Sequence, residues 1–536
     1  MFRILPLVFL IAVCQSGFAQ MWPEELQIVP EKTNYEKTST HADVIRFLQN
    51  ISATSKNISV FSMGRSLEGR DIPVAILANP MVATAAEAKA SGKLIVYIQG
   101  NIHAGEVEGK EAAMLKIRNI LAGENNPLFE KLIILFAPIY NSDSNDKMAY
   151  GRRPSQENSP PEVGIRENSQ GLDLNRDGMK MEAIETNALF KVINEWDPMI
   201  FVDLHTTNGT WHAYDLTWAP SYQYAGEDIT YNQTWDMLND ITDAIQKKHN
   251  LFFGPYGDYD LREGWPVKNF YTYNHHPRYL VNQFGLRNRL AILSEAFSHR
   301  PFEMRTKSTY YFVEEILGYA AEHSEEIKQV TKEAERLTLE GVRSNVKKGV
   351  RFKMVPSGGF DWLPSYDYKP ETQADGTIEY KPTKDRINLP NVTYYAGFEA
   401  TVESTVPAGY IIPRGMPEIA ENLKKHGIKV TELTKTNTYT GEVFEIEKYE
   451  TAQRKFEGHN MARATGKFKP AQKKFRKGDF VVDLAQPLGN LAFYLLEPES
   501  DDGLVTWNFF DKAVESQKEH NKPITYPVFK YYNTTK

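Results

Sequence analysis

Short, almost wholly apolar runs alternate with amphipathic stretches over the first part of the chain. Leu94-Ile-Val-Tyr-Ile98, Ile200-Phe-Val-Asp-Leu204 and Leu290-Ala-Ile-Leu293 have the length and composition of strands buried on both faces of a parallel sheet. Glu108–Leu121, Glu182–Glu195 and Trp235–His249 place apolar residues at helical spacing and predict helices. This alternation runs from about Thr33 to Leu337. From about Val350 the texture changes to β-rich runs broken by Pro and Gly, such as Val392–Thr401, Gly409–Pro413 and Phe480–Leu484. One helix, Met416–His426, interrupts them and is followed by Ile428–Leu433, while the charged helix Ser324–Lys348 reads as the connector. At 536 residues the chain exceeds one hydrophobic core. The expected fold class is α/β: a mixed, largely parallel sheet flanked by helices over residues 20–340, followed by a β-rich C-terminal domain over 341–536.

Each of the three apolar runs leads into a residue able to bind or serve a metal. The first precedes His103-Ala-Gly-Glu106, the second His205, and the third Ser294-Glu295. Open α/β sheets bind their ligands beyond the carboxyl ends of the strands, so these groups are expected to converge. Two His and one Glu form the ligand set of a catalytic zinc with an open fourth position, and the second Glu is left as a base. Each motif has a plainer reading by itself. His103 could cap a helix whose dipole favours Glu106, and Glu295 could stand at the surface past a strand end. Arg176, in the Asp173-Leu-Asn175-Arg176-Asp177 run, could pair with Asp173 or Asp177 or offer a planar fork to a carboxylate. A P-loop is excluded because Glu111 follows Gly109-Lys110, and a Gly-x-Ser-x-Gly elbow because Glu68 follows Ser66-Leu67.

The N-terminus carries Arg3, an apolar stretch from Ile4 to Val13 and small residues to Ala19, which reads as a signal peptide over 1–19. Val13 before Cys14 is not small, which speaks against lipidation. Cys14 is the one cysteine, so the mature chain would hold none, and neither disulfides nor thiolate chemistry would enter. A secreted or periplasmic location is expected. Cleavage moves the net charge from −7 to −8, and mild acidity argues against nucleic acid as a partner. No further stretch has the length of a membrane span. Lys448–Lys477 is rich in Lys and Arg and reads as a solvated β surface, with an anionic polymer as the other account.

In the order His-x-x-Glu, Asn-Arg, His, Glu, the motifs resemble the zinc metallocarboxypeptidases of the carboxypeptidase A/B superfamily, and within it a bacterial secreted subgroup. Met63-Gly-Arg-Ser-Leu-Glu68-Gly-Arg70-Asp-Ile looks like that family's early strand and turn, and Glu182-Ala-Ile-Glu185-Thr like the segment before its second His. The resemblance covers about Tyr35 to Phe297. It implies one zinc per chain on His103, Glu106 and His205, with Glu295 as general base and acid. Asn175 and Arg176 would hold the terminal carboxylate of a peptide substrate. Arg166 would stabilise the oxyanion, with Arg153 as its substitute, and Tyr273 would cap the substrate, with Tyr271 and Tyr279 competing. Asp173 and Asp203 are candidates to orient the ligating histidines. The implied activity is removal of C-terminal residues from peptides. The alternatives are a deacylase or cell-wall peptide amidase of the same superfamily, and a non-catalytic envelope-binding protein.

Overall fold

The computed structural model describes residues 22–532 apart from 124–125, 157–159, 223 and 520–522; the apolar N-terminal segment and Cys14 lie outside the described residues. The central sheet contains β1 (Ile58–Arg65), β2 (Asp71–Leu77), β3 (Leu94–Gly100), β4 (Leu132–Ala137), β5 (Ile200–Thr206), β6 (Leu216–Pro220), β7 (Phe253–Pro255) and β8 (Leu290–Ala296). Their order is β1-β2-β4-β3-β5-β8-β6-β7. The middle strands β4, β3, β5 and β8 run parallel, whereas β1–β2, β2–β4 and β8–β6 are antiparallel. The middle strands are apolar on both sides because helices cover both faces. Val96, Ile98, Val202 and Ile292 pack beneath α1 (Glu108–Leu121), α3 (Asp228–His249) and α5 (Phe302–Glu322). The alternate residues Tyr97, Phe201, Ala291 and Leu293 face α2 (Ile184–Trp196) and α4 (Leu280–Leu286).

The strands run further than their apolar cores predict. β5 continues through His205 to Thr206 and β8 through Glu295 to Ala296, so both polar residues lie within the sheet. The connector helix α6 (Ser324–Ser344) stops at a left-handed cap on Asn345, ahead of the expected Lys348.

After α6 the chain forms a long antiparallel ribbon, β9 (Lys347–Thr372) and β10 (Ile378–Thr405). The β-rich texture from about Val350 matches it, and the Val392–Thr401 run lies within β10. Register shifts around Pro356 and Gly358 let the ribbon carry residues that normally break a strand. It pairs through β10 with Asn269–Tyr271, and its Leu389, Val392, Tyr394 and Phe398 enter the core on the α2 side of the central sheet. The first part of the C-terminal region is therefore packed as part of the α/β core. Beyond it stands a six-stranded sheet that includes the hairpin Asn437–Thr451 and Ala462–Phe475. Cross-strand ion pairs Lys467–Glu447 and Lys469–Glu445 answer part of the basic stretch. Helices Gly489–Leu496 and Asp511–Glu519 complete this region. Among the described residues no helix is long and apolar enough to cross a membrane.

Candidate metal centre and active site

The chain leaves β3 through Asn101, whose φ of 67° is a left-handed value that Asn tolerates well. The turn brings His103 and Glu106 together before α1 begins, with Glu106 N–H donating to the His103 carbonyl at 2.9 Å. Gly105 is needed here for space. A Cβ on it would stand 2.6 Å from Arg153 Cγ and 2.9 Å from the Gly164 carbonyl oxygen. His205 arrives from β5 and lies opposite Glu295 in the parallel β5–β8 register.

Ligand atoms of His103, Glu106 and His205 all lie within 4.8 Å of one another, and all three residues are buried. His103 Nδ1 is 2.9 Å from Glu106 Oε1, and His205 Nδ1 is 3.0 Å from Glu106 Oε2. Behind them, His103 Nε2 lies 3.1 Å from Asp173 Oδ1 and His205 Nε2 lies 3.0 Å from Asp203 Oδ2. Carboxylates behind both rings favour the tautomer with the proton on Nε2, through a hydrogen bond at His103 and through charge at His205, whose contact with Asp203 is close but not aligned as a hydrogen bond. Two Nδ1 lone pairs then face the Glu106 carboxylate at hydrogen-bonding distance, acceptor against acceptor, which a cation between them would relieve. Nitrogen and oxygen donors in this number suit zinc. The residues present fit the metal.

Glu106 is oriented from several sides. Thr206 N–H donates to its Oε2 at 3.1 Å, and Arg153 Nη1 lies 2.9 Å from its Oε1. The Thr206 hydroxyl donates to buried Glu108, which pairs with buried Arg305 at 3.3 Å. Burial works against the charge on Glu106, but His103 and Arg153 hold its carboxyl well below the usual range. Burial opposes Asp173 likewise, and His103, Arg166 and Arg176 keep it ionised. Glu295 goes the other way. Desolvation raises its carboxyl above the ordinary range against the pull of His205, and Glu106 adds to the rise. A carboxylate of raised proton affinity beside a metal triad suits a general base.

His103, Glu106, His205, Glu295, Asn175, Arg176, Arg166, Arg153 and Tyr273 all line one cavity of about 280 Å³, together with Thr206, Asn208, Tyr256, Tyr279, Val281 and Leu293, whereas Asp173, Asp203 and Tyr271 do not. Asp173 caps the short turn Leu174–Arg176 by accepting Asn175 N–H at 2.9 Å. Asn175 Oδ1 in turn accepts Leu280 N–H at 3.0 Å, which ties the turn to α4 and leaves the amide nitrogen without a partner among the described residues. The Arg176 guanidinium lies 4.5 Å from the centre of the Tyr279 ring and 3.8 Å from Asp173 Oδ2. Arg166 is held by Asp173 through Nε and Nη2 at 2.9 and 2.8 Å, with Nη1 3.2 Å from His103 Nδ1.

The tyrosines divide by what their hydroxyls do. The Tyr273 hydroxyl lies 3.0 Å from Asn282 Oδ1 and 3.3 Å from the Pro220 carbonyl, two acceptors that share its one proton and fix it in the wall. Tyr271 donates to Glu263 and does not line the cavity. The Tyr279 hydroxyl has no partner among the described residues. The pattern of the chain carried no signal for Tyr256, Arg305 or the support that Thr206 gives Glu106, because those contacts depend on packing alone. A second group, His275, His276 and Asp501, also brings ligand atoms within 4.8 Å. There Asp501 already accepts from His275, from Phe352 N–H and from the Tyr494 hydroxyl, and it reads as a structural hydrogen-bond cluster.

A sequence model described as zinc carboxypeptidase, Peptidase_M14, matches residues 44–178, the segment that carries His103, Glu106, Asn175 and Arg176. Carboxypeptidase 2 of Trichophyton tonsurans is 22% identical over 488 residues, covering 87% of this chain and 81% of that protein. Carboxypeptidase D of Mus musculus is 29% identical over 131 residues, 22% of this chain and 10% of that protein. Among solved structures, a putative carboxypeptidase A from Shewanella denitrificans shares 16% identity at a TM-score of 0.40, covering 54% of this chain and 69% of that one. A metallo-carboxypeptidase from Burkholderia cenocepacia shares 17% at a TM-score of 0.38, covering 52% and 68%. Residues 44–178 are thus similar in sequence to the zinc carboxypeptidases, and the fold brings the His-x-x-Glu…His triad of the chain together at one site.

Proposed function

We propose that the protein is a zinc carboxypeptidase that removes C-terminal residues from peptides. One observation carries the reading: a metal triad, a carboxylate on the neighbouring strand and an Asn-Arg pair share a single cavity. Held by His103, Glu106 and His205, zinc would supply a Lewis acid that polarises the scissile carbonyl and acidifies water. Glu295 accepts the proton of the attacking water and passes it to the leaving amine. The terminal carboxylate is received by the Arg176 fork and the Asn175 amide nitrogen, a charge-assisted pairing that selects a free C-terminus. Arg166 and Arg153 supply positive charge where the carbonyl oxygen becomes anionic. Tyr279 takes the substrate-covering role that the resemblance gives to Tyr273, since its hydroxyl is uncommitted and its ring already lies against Arg176.

Mass spectrometry of a peptide library after incubation with the zinc-loaded protein tests the reading. Single-residue losses from the C-terminus are expected; internal cuts, or release of acyl groups alone, would replace it with the amidase or deacylase alternative. The same proposal has the chain exported, supported by the Arg3, Ile4–Val13 and Ala19 pattern. N-terminal sequencing of protein recovered outside the cytoplasm should begin at Gln20, and a retained Met1 would refute export.

A further inference from the structure

Residues 452–461 form the tip of the hairpin made by Asn437–Thr451 and Ala462–Phe475. Phe456 and His459 bridge each other across the turn, and both residues between them have positive φ, 49° at Glu457 and 83° at Gly458. Turns of that hand favour Asn-Gly or Gly-Gly, because a Cβ at a left-handed residue crowds its own carbonyl. Glutamate is a costly choice there. Its side chain leaves the turn altogether: Oε2 accepts the backbone N–H of Asp173 at 3.0 Å. Residues held in sparsely populated backbone regions concentrate where the structure makes use of them.

Asp173 is the hub of the site's outer layer. Its Oδ1 faces His103 Nε2 and accepts Asn175 N–H, and its Oδ2 takes Arg166 and lies within 3.8 Å of Arg176. Whatever fixes the Asp173 backbone fixes a metal ligand's ring and both halves of the carboxylate fork. Docking of the C-terminal region does not depend on Glu457. Asn422 donates to the Met179 and Lys180 carbonyls, Arg278 pairs with Asp502 at 2.8 Å, and His459 pairs with Glu182 at 3.1 Å.

We propose that Glu457 is a positioning residue for the reaction. Through it the C-terminal hairpin holds the Asp173–Arg176 turn in place against the metal ligands, and the C-terminal region is a working part of the catalytic unit. The proposal rests on the carboxypeptidase reading above for its kinetic consequences only.

The test uses the full-length zinc-loaded enzyme with Glu457→Asn and Glu457→Gln. Asparagine suits the left-handed turn but is too short to reach Asp173, whereas glutamine can still accept its N–H. For Glu457→Asn, KM for a free-acid peptide should rise about tenfold, ~1.4 kcal/mol, with kcat within about threefold and Tm not lowered. Zinc should also pass faster to a competing chelator, because His103 loses part of its support. Glu457→Gln should stay near wild type in KM and zinc release. Wild-type KM and zinc release in Glu457→Asn would overturn the proposal. So would equal impairment of both variants with a lowered Tm, which is the mark of a merely structural contact. If wild type cleaves no free-acid peptide, the carboxypeptidase reading fails, and zinc release in the two variants decides the role of Glu457 alone.

Discussion

Asp203→Asn should weaken zinc binding by more than the loss of a distant charge would. Asp203 is fully buried, with one oxygen 3.0 Å from His205 Nε2 and the other accepting from Gln99 Nε2 at 3.1 Å. An asparagine must turn its NH₂ toward one of these neighbours. Facing His205, it donates to Nε2 and drives the ring proton onto Nδ1, the nitrogen that faces Glu106. Facing Gln99, it forces that amide to rotate so that its oxygen accepts, and His205 keeps its tautomer but loses a charged partner. Changes behind a ligand of this kind typically cost about 10- to 100-fold in metal affinity, ~1.4–2.7 kcal/mol. The second orientation belongs near the lower bound and the first at or beyond the upper. Metal-free protein titrated with zinc against a chromogenic chelator gives the ratio directly, and circular dichroism of the metal-free form separates misfolding from lost affinity. An unchanged affinity, within about threefold of wild type, would refute the view that Asp203 sets the His205 tautomer.

Glu295→Gln should bind zinc at wild-type stoichiometry yet lose about 10²–10⁴-fold in kcat, since the amide cannot take a proton; metal analysis beside steady-state kinetics checks both halves. An amidated peptide should react about thirty- to several-thousand-fold more slowly than its free acid, with Arg176→Lys losing much of that discrimination. Comparing kcat/KM for the two forms settles it, and equal rates would remove the carboxylate fork. Burial lowers buried Lys116 to about 8 from 10.5, against the pull of Glu314. Between those values the unfolded chain binds more protons than the folded one, so this residue makes stability rise with pH across the window. The rise should be about 3 kcal/mol and absent from Lys116→Met, as chemical denaturation of both proteins from pH 8 to 10.5 would show.

Read without its fold, the sequence already determined the chemistry. Side chains that bind zinc, take a proton or grip a carboxylate are few, and their chain order with apolar runs before three of them left little freedom. The same runs exposed the middle of the sheet, because strands covered on both faces must be apolar throughout. Asp203 was legible as a partner of its own strand, since residues two apart share a face. Other facts depended on space. Asp173 backs His103 from a loop seventy residues away, and Glu457 reaches Asp173 across 284 residues. Tyr273 and Tyr279 are the same residue type six positions apart, and only packing shows that one hydroxyl is tied to Asn282 while the other is not. The full length of the ribbon of Lys347–Thr372 and Ile378–Thr405 hid behind its prolines and glycines, because the register shifts around Pro356 and Gly358 are a property of the paired strands and not of either one alone. The helix Gly489–Leu496 hid for the opposite reason: it is buried all round and has no polar face to mark its period. Local pattern follows from local burial, whereas the partners of a polar group are set by which surfaces the whole chain brings into contact.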